Sequence, residues 1–316
     1  MPTEDHDHAP IRDALTSGLA DRYRVDRQIG HGAMGVVYLA RDLRHDRAVA
    51  IKVLLPHVAS AIGVERFFRE IQITAKLTHP HIVPLLDSGE AAGHLFFVAP
   101  FMAGDSLRTM VRRGEPRPLE EVLRLVREIG EALDFAHRAN VVHRDVKPDN
   151  VFLLDGHAML GDFGLARAID AVGQEALTAS GIALGSPGYM SPEQAFGARS
   201  LDRRSDQYGL ACLVYELVTG ELPFEGGDLA AVLRAHVESP PPNACDANPD
   251  LPKPVGKVLQ RALAKDPSHR FRSVLMFIDA LEDAANVTRR GFSLGMIVVA
   301  AIVLSGLAVL VGTLLS

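Results

Sequence analysis

Apolar positions recur at two different spacings along this chain, and the spacing changes near Gly104. Before that point short apolar runs dominate. Arg22–Ile29, Val36–Ala40, Ala48–Leu55, Ile82–Leu86 and Leu95–Phe101 each predict a strand. One helix interrupts them, over Glu65–Leu77, where Phe67, Ile71 and Ala75 lie four residues apart on one helical face. After Gly104 the period lengthens. Leu119, Val122, Val126, Ile129 and Leu133 mark a helix across Leu119–Ala136. Asp206–Thr219 predicts a strongly apolar helix that stops at Gly220, and Val255–Ala264 and Ser273–Ala284 predict amphipathic ones. Between the long helices, Val151–Leu154 and Met159-Leu160 flank a turn at Asp155-Gly156, which predicts a short hairpin. Pro240-Pro241-Pro242 and Asn248-Pro249 mark loops, and no internal repeat is visible. The expectation is an α+β chain, strand-rich first and helical afterwards.

The two ends differ from this body. Residues 1–18 are polar and contain Glu4-Asp5-His6-Asp7-His8; a disordered tail is expected there in preference to a metal-binding tract. No apolar stretch follows a basic one, so no secretory signal is expected. Gly291 to Ser316 holds no charged residue. The 22 residues from Leu294 to Leu315 would span roughly 33 Å as a helix, the thickness of a bilayer core. A transmembrane helix is therefore expected over 293–315, after a linker at 285–292. Arg289 and Arg290 precede it, which by the positive-inside rule puts the folded part on the cytoplasmic side of a cell membrane. Ala301, Ser305, Ala308 and Gly312 share one helix face, a pattern that allows weak self-association.

Composition narrows the class. The chain has 316 residues, of which 47% are hydrophobic and 23% charged, as in an ordinary globular protein. A net charge of −6 argues against a nucleic-acid partner. Two cysteines, Cys212 and Cys245, make no disulfide framework or metal cluster, and Cys212 lies in an apolar run that fits a core thiol.

Candidate chemistry concentrates in His143-Arg144-Asp145-Val146-Lys147-Pro148-Asp149-Asn150 and in Asp162-Phe163-Gly164. Closing the predicted hairpin brings Asn150 and Asp162 side by side, with Asp145 near. Oxygen-bearing side chains at one edge suit a hard cation, and Mg²⁺ favours carboxylate plus substrate phosphate. Ile29-Gly30-His31-Gly32-Ala33-Met34-Gly35-Val36-Val37 places three glycines between two strands. A dinucleotide fold would instead continue into a helix. Val49-Ala50-Ile51-Lys52 puts one lysine on an apolar strand, and Glu70 lies mid-helix between Phe67 and Ile71.

This set, in this order, resembles the eukaryotic-like protein kinases, and most closely the bacterial Hanks-type serine/threonine kinases, over about Tyr23 to Leu281. The resemblance implies a bilobal kinase fold, with a small β-rich N-terminal lobe over 19–103 and a larger helical lobe over 104–284. It implies a serine/threonine protein kinase that uses ATP with Mg²⁺ (Mn²⁺ as an alternative) on protein substrates. Ile29, Gly30, His31, Gly32, Ala33, Met34, Gly35, Val36, Val37, Ala50, Lys52, Pro100 and Met102 would surround the nucleotide. Lys52 would pair with Glu70. Asp145 would accept and orient the substrate hydroxyl, Lys147 would neutralise the transferring phosphoryl, and Asn150 and Asp162 would hold metal. Thr178 or Ser180 would be autophosphorylated and pair with Arg144, while Ser186 would shape substrate choice. Asp206 would brace the catalytic loop, and Arg270 would pair with Glu193. Ala99 takes a position next to the adenine where the family usually has a bulkier residue. The competing readings are a pseudokinase scaffold, disfavoured because Lys52, Asp145, Asn150 and Asp162 are all present, and a small-molecule phosphotransferase, disfavoured by Ser191-Pro192-Glu193 and the long segment before it.

Overall fold

A computed structural model describes residues 9–112, 114–163, 186–198 and 200–286. Strands β1 (Tyr23–Gly32), β2 (Gly35–Asp42), β3 (Arg47–Leu54), β4 (Asp87–Ala91) and β5 (His94–Pro100) form one antiparallel sheet in the order β1-β2-β3-β5-β4. The two-residue period sorts each strand by face. Val36, Tyr38 and Ala40 of β2, with Val49, Ile51 and Val53 of β3, are buried together on one face. Val37, Ala50 and Lys52 turn the other way, into a cleft.

A helix, α1 (Ala9–Gly18), covers the buried face. This corrects the expected disordered tail over residues 9–18. Ile11 and Leu15 lie four apart and bury against the cluster that holds Tyr38, Ile51 and Phe96. The backbone bonds Leu19 N–H to Leu15 O and Tyr23 N–H to Leu19 O (2.9 and 2.8 Å) then run the helix straight into β1. Residues 1–8 lie outside the described residues.

Two short helices, α2 (Pro56–Ile62) and α3 (Val64–Thr74), meet at Gly63, whose φ of 78° makes the sharp turn. Val58, Ile62, Phe67 and Ile71 join Leu95 and Phe97 in a second cluster. The expected strand at Ile82–Leu86 does not form. Ile82 makes only an isolated bridge to Leu160, and the edge strand is instead the polar β4. Pro84 has no N–H to extend a ladder. The apolar run instead packs where the two lobes meet: Val83 N–H bonds Leu160 O, and Leu160 N–H bonds His81 O, both at 2.9 Å.

The second lobe comprises α4 (Leu107–Val111), α5 (Leu119–Arg138), the hairpin β6 (Val151–Leu154) with β7 (His157–Leu160), and then α6 (Pro192–Ala195). It continues with α7 (Arg203–Thr219), α8 (Leu229–Glu238), α9 (Ala244–Ala247), α10 (Lys253–Ala262) and α11 at 274–286. Every residue from Ser205 to Thr219 is buried, so α7 is the axis of the lobe and needs no polar face. Among the described residues no helix is long and apolar enough to cross a membrane; the span expected at 293–315 lies outside them.

His236 of α8 is fully buried against α7. Its Nδ1 lies 2.9 Å from the Tyr208 hydroxyl, the Phe224 ring packs on it at 4.9 Å, and Lys265 Nζ donates to its carbonyl at 2.6 Å. Burial, and then the Lys265 charge, push its pKa down to about 4. The unfolded chain therefore binds a proton that the folded chain refuses between about pH 6.5 and 4. Stability from this site is complete above the unfolded value and is lost as pH falls through that window. An acid titration of thermal unfolding should show a loss on the order of 2–3 kcal/mol, and His236→Gln should flatten it. An identical slope in the variant would rule His236 out as the source.

Candidate active site

The cleft between the lobes has a volume of about 710 Å³. Its roof is the β1–β2 turn, with Ile29, Gly30, His31, Gly32, Ala33, Met34, Gly35 and Val37 all lining it. Val36 does not. It is buried on the opposite face of β2, because adjacent strand residues point opposite ways, and this corrects its expected place at the nucleotide. The glycines have different reasons to be there. At Gly35 a Cβ would overlap the Val53 carbonyl oxygen, so the sheet itself demands glycine. At Gly32 a Cβ would meet nothing within 4 Å, and the backbone is not left-handed. Packing within the described residues does not require a glycine there, and a bare backbone at that position is one a ligand can approach closely.

Lys52 enters from the middle of the sheet, between Val37 of β2 and Phe97 of β5. Its Nζ donates to Asp162 Oδ2 at 2.6 Å. Among the described residues this is the ion pair Lys52 makes, which corrects the expected pairing with Glu70. Glu70 is buried on α3 together with Phe67 and Ile71. The hairpin explains the difference: it presents the Asp162 carboxylate straight at the lysine. Burial pushes the Asp162 carboxyl up, but the Lys52 ammonium, with His143 and Lys147 behind it, holds it below the usual range. The residue is an anion ready for a cation. Its φ of 60° is a left-handed conformation that aspartate tolerates better than most residues.

The floor is the loop 143–150. Asn150 Nδ2 donates to Asp145 O at 2.8 Å and to Asp145 Oδ2 at 3.0 Å, and Lys147 Nζ sits 2.7 Å from the same Oδ2. The Gly161 N–H bonds Asn150 O at 2.8 Å, which closes the hairpin and sets Asn150 and Asp162 at its open end. Among the described residues no group of three or more His, Cys, Asp or Glu gathers to hold a metal. The donor set still fits a hard cation: Asn150 commits its amide nitrogen to Asp145 and keeps its amide oxygen, and Asp162 supplies a carboxylate. Mg²⁺ takes one or two such protein ligands and fills the rest with phosphate and water. Such an ion, when bound, would offset charge on the phosphates. Asp145 offers a carboxylate oxygen to orient a hydroxyl, and Lys147 holds a positive charge beside it.

Residues 23–279 match the protein kinase domain family. The chain belongs to that family. It is 40% identical over 268 residues to the serine/threonine-protein kinase PknF of Mycobacterium tuberculosis, covering 82% of this chain and 55% of that protein. It is 35% identical over 275 residues to a probable serine/threonine-protein kinase PknB of Lactococcus lactis, covering 86% and 43%. It is 36% identical over 258 residues to the serine/threonine-protein kinase PrkC of Bacillus subtilis, covering 81% and 39%. The chain thus spans about half the length of these relatives.

The kinase domain holds its catalytic loop from below by groups that come from far along the chain. Asp206 of α7 accepts from His143 N–H (2.8 Å), Arg144 N–H (2.6 Å) and the His137 ring (2.7 Å). Arg144 sits at φ 69°, a conformation a large side chain avoids. Asp206 clamps its N–H, and Gln194 Nε2 clamps its carbonyl at 2.7 Å. Gln194 also closes a capping box with Ser191 at the start of α6. The expected Glu193–Arg270 pair forms as two bonds of 2.8 Å. Sequence reasoning missed Gln194, although Ser191-Pro192-Glu193-Gln194 has the spacing of a capping box. It also missed Phe152, which lines the cleft as the alternate residue to the buried Val151. Thr178 and Ser180 lie outside the described residues; Ser186 lines the cleft.

At the inner end Ala50, Ala99, Pro100 and Met102 line the cleft as expected, and Ala99 pairs across the sheet with Ala50. Two methyl side chains face each other where larger ones would close the space. Adenine analogues with a bulky substituent should therefore compete with nucleotide at least about tenfold better against the wild type than against Ala99→Met, since overpacking costs about 1–3 kcal/mol. Equal potency against both proteins would refute this.

Proposed function

We propose that the protein transfers the γ-phosphoryl group of ATP to serine and threonine hydroxyls of proteins. The observation that carries this reading is the convergence of Lys52, Asp145, Lys147, Asn150 and Asp162 on one cleft roofed by glycine backbone. In the reaction the substrate oxygen bonds to the γ-phosphorus, the bond to the bridging β–γ oxygen breaks, and ADP leaves. The hydroxyl proton passes to Asp145 as the new bond forms. Lys147 and Lys52 face the charge that builds on the phosphates. Mg²⁺ is the preferred metal, with Mn²⁺ a workable substitute. Autophosphorylation of Thr178 or Ser180, drawn to Arg144, is the proposed activating step. The charge-free run at 293–315 after Arg289-Arg290 supports a membrane anchor with the kinase domain on the cytoplasmic side, and the small residues along it support weak dimers. The net charge of −6 supports protein partners over nucleic acid.

The deciding experiment offers labelled ATP to the wild type with a generic protein substrate, an aminoglycoside and choline in parallel. Label on protein serine or threonine, with Thr178 or Ser180 modified in the mass spectrum of the expressed chain, supports the proposal. Label on a small molecule alone, or none, overturns it.

A further inference from the structure

Arg108 of α4 holds a cluster that the proposed phosphoryl transfer does not use. Its Nε and Nη2 donate to Asp149 Oδ2 at 3.1 and 2.9 Å, and Nη2 also donates to the Tyr189 hydroxyl at 3.0 Å. Its Nη1 lies 3.5 Å from Glu216 Oε1, and the guanidinium carbon stands 5.5 Å from the centre of the Tyr189 ring. Tyr189 in turn donates a short bond to Glu216 Oε2. Two carboxylates at the edges and an aromatic ring on the face make a receptor shaped for a guanidinium. Four separate segments build it: α4, the turn at Pro148–Asn150, the turn at Pro187–Tyr189, and α7.

Its location gives it meaning. Asp149 directly precedes Asn150, whose amide holds Asp145, and Asp149 lines the cleft beside Asp145 and Lys147. A peptide that presents its hydroxyl to Asp145 must lay its flanking residues past Asp149. The recess is open there, since the Asp149 side chain is 44% exposed, and closed at its base, where Glu216 is 7% exposed. Emptied of Arg108, it would hold two carboxylates and one phenol, the ligands of an arginine side chain.

We propose that Arg108 sets the substrate preference of this kinase by filling, with the protein's own guanidinium, a recess that would otherwise select an arginine beside the acceptor serine or threonine. The proposal rests on the protein-kinase reading of the cleft. With Arg108 in place the oxygens that would bind a guanidinium are already engaged, and a substrate arginine meets a like charge at the mouth of the recess. The wild type therefore takes substrates without a neighbouring arginine. A purely bracing role for Arg108 would affect all substrates alike; a role in selection changes the ratio between them.

The test measures kcat and KM for serine peptides in which a single arginine is moved one residue at a time along both flanks, with alanine flanks as reference. Wild type should gain nothing from arginine at any position. Arg108→Ala should gain about tenfold in kcat/KM, mostly through KM, at one or two positions. Adding Glu216→Gln should remove most of that gain. Arg108→Gln keeps most of the side-chain volume and serves if the alanine variant does not fold. A uniform fall across all peptides, or the wild-type profile in both variants, overturns the proposal. So does a wild type that already prefers arginine at such a position. If the wild type phosphorylates no peptide at all, the kinase reading has failed, a result separate from any outcome of the arginine scan.

Discussion

Asp145→Asn should lower phosphoryl transfer by about 10²–10⁴-fold while nucleotide affinity stays within a few-fold of wild type. The reason lies in what its carboxylate faces. Oδ2 accepts from Asn150 Nδ2 at 3.0 Å and pairs with Lys147 Nζ at 2.7 Å, so both neighbours are donors. An amide there must turn its NH₂ either towards those donors or towards the incoming hydroxyl. In the first case the NH₂ faces the Asn150 and Lys147 donors and the loop is pushed out of place. In the second the hydroxyl loses its oriented acceptor. In both, no carboxylate is left to take the hydroxyl proton. The roof of the cleft and Lys52 are untouched, which is why nucleotide binding should persist. Labelled-phosphate transfer gives kcat, and nucleotide titration of the same preparation gives affinity. Transfer that survives at more than a tenth of the wild-type rate would remove Asp145 from its proposed role.

Arg270→Ala should cost about 3–5 kcal/mol of folding stability, the scale for stripping one partner from a buried ion pair. The Arg270 side chain is fully buried. Its nitrogens donate to both Glu193 oxygens and to the carbonyls of Ala264, Arg204 and Lys265. Burial pushes the Glu193 carboxyl up, and the Arg270 fork outweighs it and holds the group below the usual range. Without the arginine, a mostly covered carboxylate, 16% exposed, keeps Ser205 Oγ, at 2.7 Å, as its side-chain donor. Lysine should rescue little, because a single ammonium cannot span both carboxylate oxygens and three carbonyls. Denaturant unfolding of wild type, Arg270→Ala and Arg270→Lys checks this; a loss below about 1 kcal/mol would contradict it. Because Glu193 sits beside Gln194, which bonds Arg144 O, the damage should reach the catalytic loop as well.

These two residues also show how differently parts of the molecule could be read beforehand. Asp145, Asn150 and Asp162 were legible because the geometry that joins them is local: a turn, two short strands and a closing bond within twenty residues. Lys52 was legible as a lone cation on an apolar strand. Its partner was not, since Asp162 lies 110 residues further on and pair choice depends on how the two lobes face each other. The apolar run at Ile82–Leu86 carried the composition of a strand, yet its partner is β7 in the other lobe, so burial there reports a contact between lobes. Helix α1 has too few residues to hold itself together in water, so a polar stretch with Ile11 and Leu15 gave little sign of it until a sheet face needed covering.

By itself, then, the sequence determined most of the elements and the chemistry carried on each; α1, β4 and the run Ile82–Leu86 waited on the surfaces they pack against. Strand alternation, glycine placement, the hairpin and the helix stops all follow from residues within a few positions of one another. The tertiary structure alone decided which charges meet. It gave Lys52 to Asp162, set Asp206 and Gln194 on either side of the strained Arg144, and delivered Arg108 into a recess made by three other segments. Electrostatic and hydrogen-bond partners are chosen by distance in space, and distance in space between remote segments is fixed only when the cores have packed.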